Sequence, residues 1–456
     1  MTNKTLDNTM ISTSGVTYRK LFRYVMPSVI TMIFTSIYNI VDGFFILNFA
    51  GKTAFAAVNL IMPLLMLLST FGFMFGTGGS AIVARLLGEK RRKEADQAFS
   101  LLVWSILAAG TVLMLIGQIF LPAIARRMGA DDAMYDTCII YARINLCSTP
   151  FFTLQVAFQS FCNAAEKPRL GLVLTVFTGV ANMILDRLFV GVFSWGARGG
   201  AALATTICEC LGGILPLIYF ARRNTSLLRL LPPGRVRFHL KLLLEACGNG
   251  SSEFLTMMSR SMINILYNWQ LMRFIGRDGV AAFGAILYLG FIFSAVFMGY
   301  SLGSSAIVSY NYGAQNHPEL RNIFRKSMAV LAGASLSMFG LAQILAYPMC
   351  RFYAGYDPGL FRLMIHAFRV YAFVYLLTGW NGFGSAFFTA LGNGRVSAII
   401  SFLRTLVFQI AAVLLLPALL GAEGIWNANT AAEVLSLTVT AFFLVRYRHV
   451  YHYVQK

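Results

Sequence analysis

Ser80-Ala81-Ile82-Val83 recurs as Ser305-Ala306-Ile307-Val308, 225 positions further along a chain of 456 residues. Working outward from that pair, the same offset keeps returning. Gly51-Lys52 answers Gly276-Arg277, Ala56-Ala57 answers Ala281-Ala282, and Gly88 answers Gly313. Gly196-Ala197-Arg198-Gly199 answers Gly421-Ala422-Glu423-Gly424, and Asn39 answers Asn264. One such match is chance; a constant offset at several places is a duplication.

What is duplicated is a set of apolar segments. The chain is 57% hydrophobic and only 12% charged, whereas soluble domains carry about 25% charged residues. Twelve apolar stretches follow one another, at roughly 21–47, 54–86, 95–121, 133–161, 168–194, 198–221, 241–272, 280–311, 322–347, 360–390, 395–417 and 424–446. Each is long enough for the ~20 residues a bilayer-spanning helix needs. The expected fold is all-α and integral to the membrane, with twelve transmembrane helices in two pseudo-symmetric six-helix bundles. Six is even, so the halves share one orientation as a parallel internal repeat, an arrangement suited to alternating access around a central cavity. The expected divisions are a tail over 1–20, an N-lobe over 21–221, a basic linker over 222–240, a C-lobe over 241–446 and a tail over 447–456.

The net charge of +19 could suggest nucleic acid, but its distribution argues against that. With the N-terminus inside, 25 of the 37 Lys and Arg fall on cytoplasmic segments and nine on outer loops. Arg143, Arg260 and Arg369 are assigned to the helices themselves. This is the positive-inside bias, with both termini cytoplasmic. The basic charge is therefore a topology signal. The seven cysteines show neither a paired framework nor zinc spacing, and the polar N-terminus lacks a signal-peptide pattern.

Polar residues inside the apolar segments are the candidate site. Thr35, Tyr38, Asn39 and Asp42 fall at helical spacing and form one stripe on the first helix. A carboxylate at membrane depth costs roughly 2.5–3.5 kcal/mol on insertion scales and is a functional candidate by default. Asn182 and Asp186 are four apart and share a helix face. At ~1.5 Å per residue, Asp42 lies ~28 Å beyond Arg23, Asp186 ~26 Å beyond Arg169, and Thr205 ~10 Å below Arg198 on the opposite side. All three come to a similar depth, where carboxylates, an amide and a hydroxyl suit Na⁺ or a shared proton. An Asp186–Arg187 pairing is the structural alternative. In the second half, Glu253 is a candidate proton carrier or substrate contact, and a structural Glu253–Arg260 ion pair is an equal alternative. Glu209 and Glu433 are expected to pair with loop arginines. Pro27 interrupts the first helix's hydrogen-bond ladder and is a candidate hinge.

These residues resemble the multidrug and toxic compound extrusion (MATE) family over essentially the whole chain. The resemblance rests on the duplicated twelve-helix plan and on Tyr38-Asn39-Ile40-Val41-Asp42. It rests also on Ala164-Ala165-Glu166-Lys167-Pro168-Arg169, on Asn182 with Asp186, and on Tyr310-Asn311-Tyr312-Gly313-Ala314. It looks closest to the bacterial MepA/DinF-like branch. The resemblance implies a cation site of Asp42, Asn182, Asp186 and Thr205 or Thr206, with Pro27 as the gating proline and Glu253 as the acid of helix 7. Other branches carry an acid in helix 10, where this chain has Trp380-Asn381-Gly382. It implies a monomeric antiporter of the bacterial inner membrane. Such a protein exports small organic cations or drugs against H⁺ or Na⁺, has lipid as its surroundings and needs no cofactor. The competing reading is a flippase for a lipid-linked oligosaccharide or related precursor. No HExxH, GxSxG or Walker loop supports an enzyme.

Overall fold

The computed structural model describes residues 15–45, 52–127, 132–193, 195–222, 224–355 and 357–454, and they are helical throughout apart from short connections. The N-terminal half comprises α1 (Tyr18–Phe45), α2 (Lys52–Gly88), α3 (Arg92–Arg127), α4 (Asp132–Leu146), α5 (Thr149–Ala164), α6 (Pro168–Asp186) and α7 (Ala202–Ala221). The C-terminal half comprises α8 (Leu240–Phe274), α9 (Arg277–Gly313), α10 (His317–Ala354), α11 (Pro358–Tyr371), α12 (Tyr375–Ala390), α13 (Gly394–Phe402), α14 (Phe408–Leu420) and α15 (Ala422–Tyr447). The twelve segments are all present. One is broken at Cys147–Ser148 between α4 and α5, one by a 3-10 turn between α11 and α12, and one by a π stretch, Leu403–Val407, between α13 and α14. Among the described residues, ten stretches are long and apolar enough to cross a membrane. The other two segments fall short for physical reasons, since α4 and α5 are each short and α8 carries charged and amide side chains along its length.

The duplication reappears as symmetric packing between the halves. α1 lies against α9, and its repeat partner α8 lies against α2. A Cβ at Gly88 would stand 2.1 Å from the Tyr310 carbonyl oxygen, and one at Gly313 would stand 2.2 Å from that of Arg85. Positions 85 and 310 are themselves repeat partners, so one contact is the other turned about the pseudo-axis. The same holds where Gly78 meets Gly250 and Gly303 meets Val25. Asn163 on α5 extends the joint, accepting from Ser28 Oγ at 3.0 Å and donating to the Leu302 carbonyl at 3.4 Å. The two halves are thus pressed together, backbone to backbone, at the end where α1 and α8 begin. Arg85 and Glu245 add an ion pair of 3.0 Å there, partly exposed and so worth under about 1 kcal/mol. Gly78→Val forces its new side chain into the Ala246 carbonyl, 2.2 Å from where the Cβ must sit. The expected cost is about 1–3 kcal/mol, read as a lower melting temperature of the purified protein. An unchanged melting temperature would mean that α2 and α8 separate freely.

Two peripheral segments are also fixed. Gly15 and Val16 donate their backbone N–H groups to the buried Glu319 carboxylate at 2.8 and 2.9 Å, tying the segment just before α1 to α10. The basic linker runs along α3. Arg229 N–H donates to Asp96 Oδ1 at 2.8 Å, Leu231 N–H to Ser100 Oγ at 2.8 Å, and Trp104 Nε1 to the Leu231 carbonyl at 2.9 Å. Asp96, Gln97, Ser100 and Trp104 form one α3 face that holds an irregular strand of backbone.

Candidate functional site

On the far side of the inter-half seal lies a cavity of about 1180 Å³. Its wall runs from Ser80, Ser305 and Thr389 beside the seal to Val58, Tyr267 and Phe283 at the other end. α8 contributes a stripe of Glu253, Met257, Arg260, Asn264 and Tyr267, spaced so that each falls near one helix face. The N-terminal half contributes Ser36 from α1, much of α2, and Gln159 and Ser160 from α5. The remaining wall mixes methionine and aromatic side chains, Met258, Met262, Met298, Phe291, Phe297 and Tyr375 among them, with small residues and hydroxyls.

The C-terminal half places a charged network on that wall. Arg404 donates to Glu433 Oε1 through Nε at 2.9 Å and Nη2 at 2.8 Å. Asn381 donates to Glu433 Oε2 at 2.7 Å and to its backbone carbonyl at 2.9 Å. The Glu433 side chain is only 5% exposed and that of Arg404 16%. Beside them Gln409 donates to Asn429 Oδ1, and Asn429 donates to the Tyr371 hydroxyl at 2.8 Å. Two expectations are corrected here. Glu433 pairs with a helix arginine rather than a loop one, and Arg404 belongs inside the bundle rather than among the cytoplasmic charges. Ten residues past Gly394 the helix has risen ~15 Å, which is the signal that counting Arg404 with the connecting loop overlooked. The Glu209 carboxylate accepts from the Ser148 hydroxyl. Among the described residues no ion pair joins Glu253 to Arg260. Both side chains face the cavity instead.

The N-terminal candidates form a separate site. Asn182 and Asp186 are 3% and 0% exposed, one turn apart on α6. Both polar atoms of the Asn182 side chain, and the Thr205 hydroxyl, lack a hydrogen-bond partner among the described residues. Thr206 is taken by the Ile144 carbonyl at 3.1 Å, which leaves Thr205 as the open hydroxyl of the two. Arg187 is exposed while Asp186 is buried, so neighbouring side chains point to different surroundings. At Asp186 the α-helix gives way to a π stretch, Arg187–Val192; such insertions widen the turn and are frequent at functional sites.

Asn39 and Asp42 lie on α1, but their side chains lie outside the described residues. Their depth is nevertheless fixed by a backbone contact. Gly179 on α6 packs against the Phe34 ring of α1, so close that a Cβ would fall 2.5 Å from Phe34 Cε1. α1 and α6 run in the same direction, since Ser28 reaches Asn163 just before α6 begins. From that crossing Asp42 is eight residues on and Asp186 seven, rises of ~12 and ~10 Å. The two positions are level. Thr35 hydrogen-bonds its own helix, to the Thr31 carbonyl at 2.8 Å. Pro27 is within α1 as expected, and Thr31 Oγ1 donates to its carbonyl at 2.8 Å. The described lining of the cavity includes Glu253 but not Asn182, Asp186 or Thr205. Asn182 and Asp186 lie on α6 within the N-terminal half, whereas Glu253 lines the chamber between the halves.

A duplicated bundle of membrane-length helices, sealed at one end and hollow beyond, with the buried Asp186 carboxylate off the chamber, defines the class as a polytopic helical membrane protein of two repeated halves. A family model described as MatE matches this chain twice, over residues 27–188 and 254–415, and the chain belongs to that family. Multidrug export protein MepA of Staphylococcus haemolyticus is 24% identical over 436 residues, 94% of this chain and 93% of its own. Its counterpart in Staphylococcus aureus strain MRSA252 is 23% identical over 427 residues, 92% of each. A crystal structure of MATE in complex with MaL6 is similar with a TM-score of 0.92 at 19% identity, over 99% of this chain and all of the other. An outward-facing multidrug resistance MATE family transporter of the MOP superfamily gives 0.90 at 19% identity, over 99% and 98%. At such identities the structural likeness is one of fold.

Proposed function

We propose that this chain is a secondary multidrug efflux transporter that exports amphipathic organic compounds bearing a cationic group, in antiport with H⁺ or Na⁺. The observation that carries the proposal is the chamber between two symmetric halves, closed at one end by interchangeable backbone contacts. A joint of that kind can open at one end as it closes at the other, which is alternating access. With both termini in the cytoplasm of a bacterial cell, the sealed end faces inward and the chamber outward. Glu253 meets the cationic group of the substrate, and the adaptable methionine and aromatic wall takes its apolar body.

The coupling cation binds at Asp42 and Asp186 with Asn182 and Thr205. α1 is the link between the two sites, since it packs on α6 on one side and on α9 across the joint. Neutralising the carboxylates lets α1 repack near Pro27, lowers drug affinity in the outward-open state and favours the inward-open state, where the cation leaves. Such coupling requires each ligand to distinguish the two states. The test is efflux of a fluorescent organic cation from proteoliposomes with a pH gradient and a Na⁺ gradient imposed separately. Export driven by one gradient alone is expected and names the ion. Export driven by neither, or only by added nucleotide, removes the antiport reading.

A further inference from the structure

The linker between the halves enters α8 through Arg235-Val236-Arg237-Phe238-His239-Leu240-Lys241. Gln97 of α3 grips its backbone with both ends of one amide. Nε2 donates to the Arg235 carbonyl at 3.1 Å, and Oε1 accepts from the Arg237 N–H at 3.2 Å. The clamp sets the height of the segment. α3 is 36 residues long, ~54 Å against a hydrocarbon core of ~30 Å, so its ends stand in the headgroup layers. Gln97 is five residues past Arg92, where α3 begins, a rise of ~8 Å that keeps it at headgroup depth. There Arg235, Arg237 and Lys241 are exposed and join no ion pair among the described residues. Acids at this end are engaged elsewhere: Glu94 by Arg91, Glu245 by Arg85, and Asp96 by the Arg229 N–H. Beside the cations, Phe238, Leu240 and Leu244 are 73%, 58% and 62% exposed, and the two leucines share one helix face. Basic and apolar groups exposed together at this depth are the complement of an anionic amphiphile. A guanidinium fork matches phosphate oxygens in bidentate fashion. A soluble anion would leave the apolar side chains bare, and a zwitterionic lipid brings its own cation to the phosphate.

We infer that residues 235–244 form a binding site for an acidic phospholipid of the cytoplasmic leaflet. Arg235, Arg237 and Lys241 hold its phosphodiester, and its acyl chains lie on Phe238, Leu240 and Leu244. Because α8 starts here and runs on to the seal and the chamber wall, the lipid fixes the height at which that helix enters the membrane. The test is native mass spectrometry of the full chain titrated with lipid in detergent, which resolves each bound lipid separately. The first equivalent of dioleoyl-phosphatidylglycerol is expected to bind at least about tenfold more tightly than dioleoyl-phosphatidylcholine. Arg235→Gln with Arg237→Gln is expected to abolish that preference, and Arg235→Lys with Arg237→Lys to keep part of it. Arg446→Gln with Arg448→Gln removes the same charge from the exposed end of α15 and is expected to leave the preference intact. Glycerophosphoglycerol and inorganic phosphate carry no acyl chains. They are expected neither to bind nor to displace the lipid, a readout made on the parent chain alone. Equal binding of the two lipids by the parent chain, or a preference that survives in Arg235→Gln with Arg237→Gln, overturns the site. So does a preference lost equally in the α15 pair, which would assign it to overall charge. Displacement by free phosphate overturns lipid as the ligand.

Discussion

Asp186→Asn is expected to bring gradient-driven efflux down to the level of protein-free vesicles, and Asp42→Asn to do the same. Asparagine keeps the size and shape of the buried side chain but can neither carry a negative charge nor exchange a proton. The site then responds identically to both sides of the membrane, and a ligand that does not distinguish two states cannot shift their balance. Asp186 is fully buried beside Asn182, and asparagine fills the same volume, so the change creates no cavity and no overpacking. Protein level is expected to stay near that of the parent. If one cation is shared between the two carboxylates, the double variant should be no worse than either single one, the non-additivity expected of residues acting as a unit. The measurements are efflux of a fluorescent organic cation and thermal denaturation, made on all three variants. Unchanged efflux in both single variants would remove the N-terminal carboxylates from the coupling mechanism.

The fold was legible in the sequence because duplication and hydropathy are both one-dimensional signals. Ser80–Val83 against Ser305–Val308 and twelve apolar runs are enough to specify paired bundles. The depth of a side chain is nearly as legible, since helix rise converts residue count to distance. Counting from the Phe34–Gly179 crossing likewise gives the backbone positions of Asp42 and Asp186 similar heights, ~12 and ~10 Å. What counting cannot supply is rotation and partnership. Glu253 and Arg260 are aligned on one helix face and both line the chamber, yet among the described residues no ion pair joins them. Asn381 stands where a carboxylate was sought, and it proves to be a donor to Glu433 from another helix. Arg404 was hidden by a tally that asked only which loop it adjoined. The symmetric seal was visible as matching glycines at 88 and 313, but their meaning needed the partner backbone, which comes from the opposite half.

Arg404→Met is expected to be the most destabilising single change on the chamber wall, at about 3–5 kcal/mol. Glu433 is the more deeply buried of the pair, at 5% side-chain exposure against 16%. Without the guanidinium its carboxylate keeps only the Asn381 amide on Oε2, and Oε1 loses both its donors. The converse change, Glu433→Leu, should cost less, because the freed Arg404 already reaches the chamber and can turn its charge toward water there. The double variant Arg404→Met with Glu433→Leu should recover most of the loss, since replacing a buried pair by apolar groups of similar size is often neutral. Thermal denaturation of the three variants closes a double-mutant cycle, and a coupling energy of several kcal/mol is the expected outcome. A coupling below about 1 kcal/mol would place the pair among solvated surface contacts. It would mean that chamber water already screens Glu433, leaving that carboxylate open to substrate. The asymmetry of the cycle matters as much as its size: it tests whether the Glu433 carboxylate is held ionised by Arg404 as a structural pair in the C-terminal half, a role apart from the coupling proposed for the carboxylates of the N-terminal half.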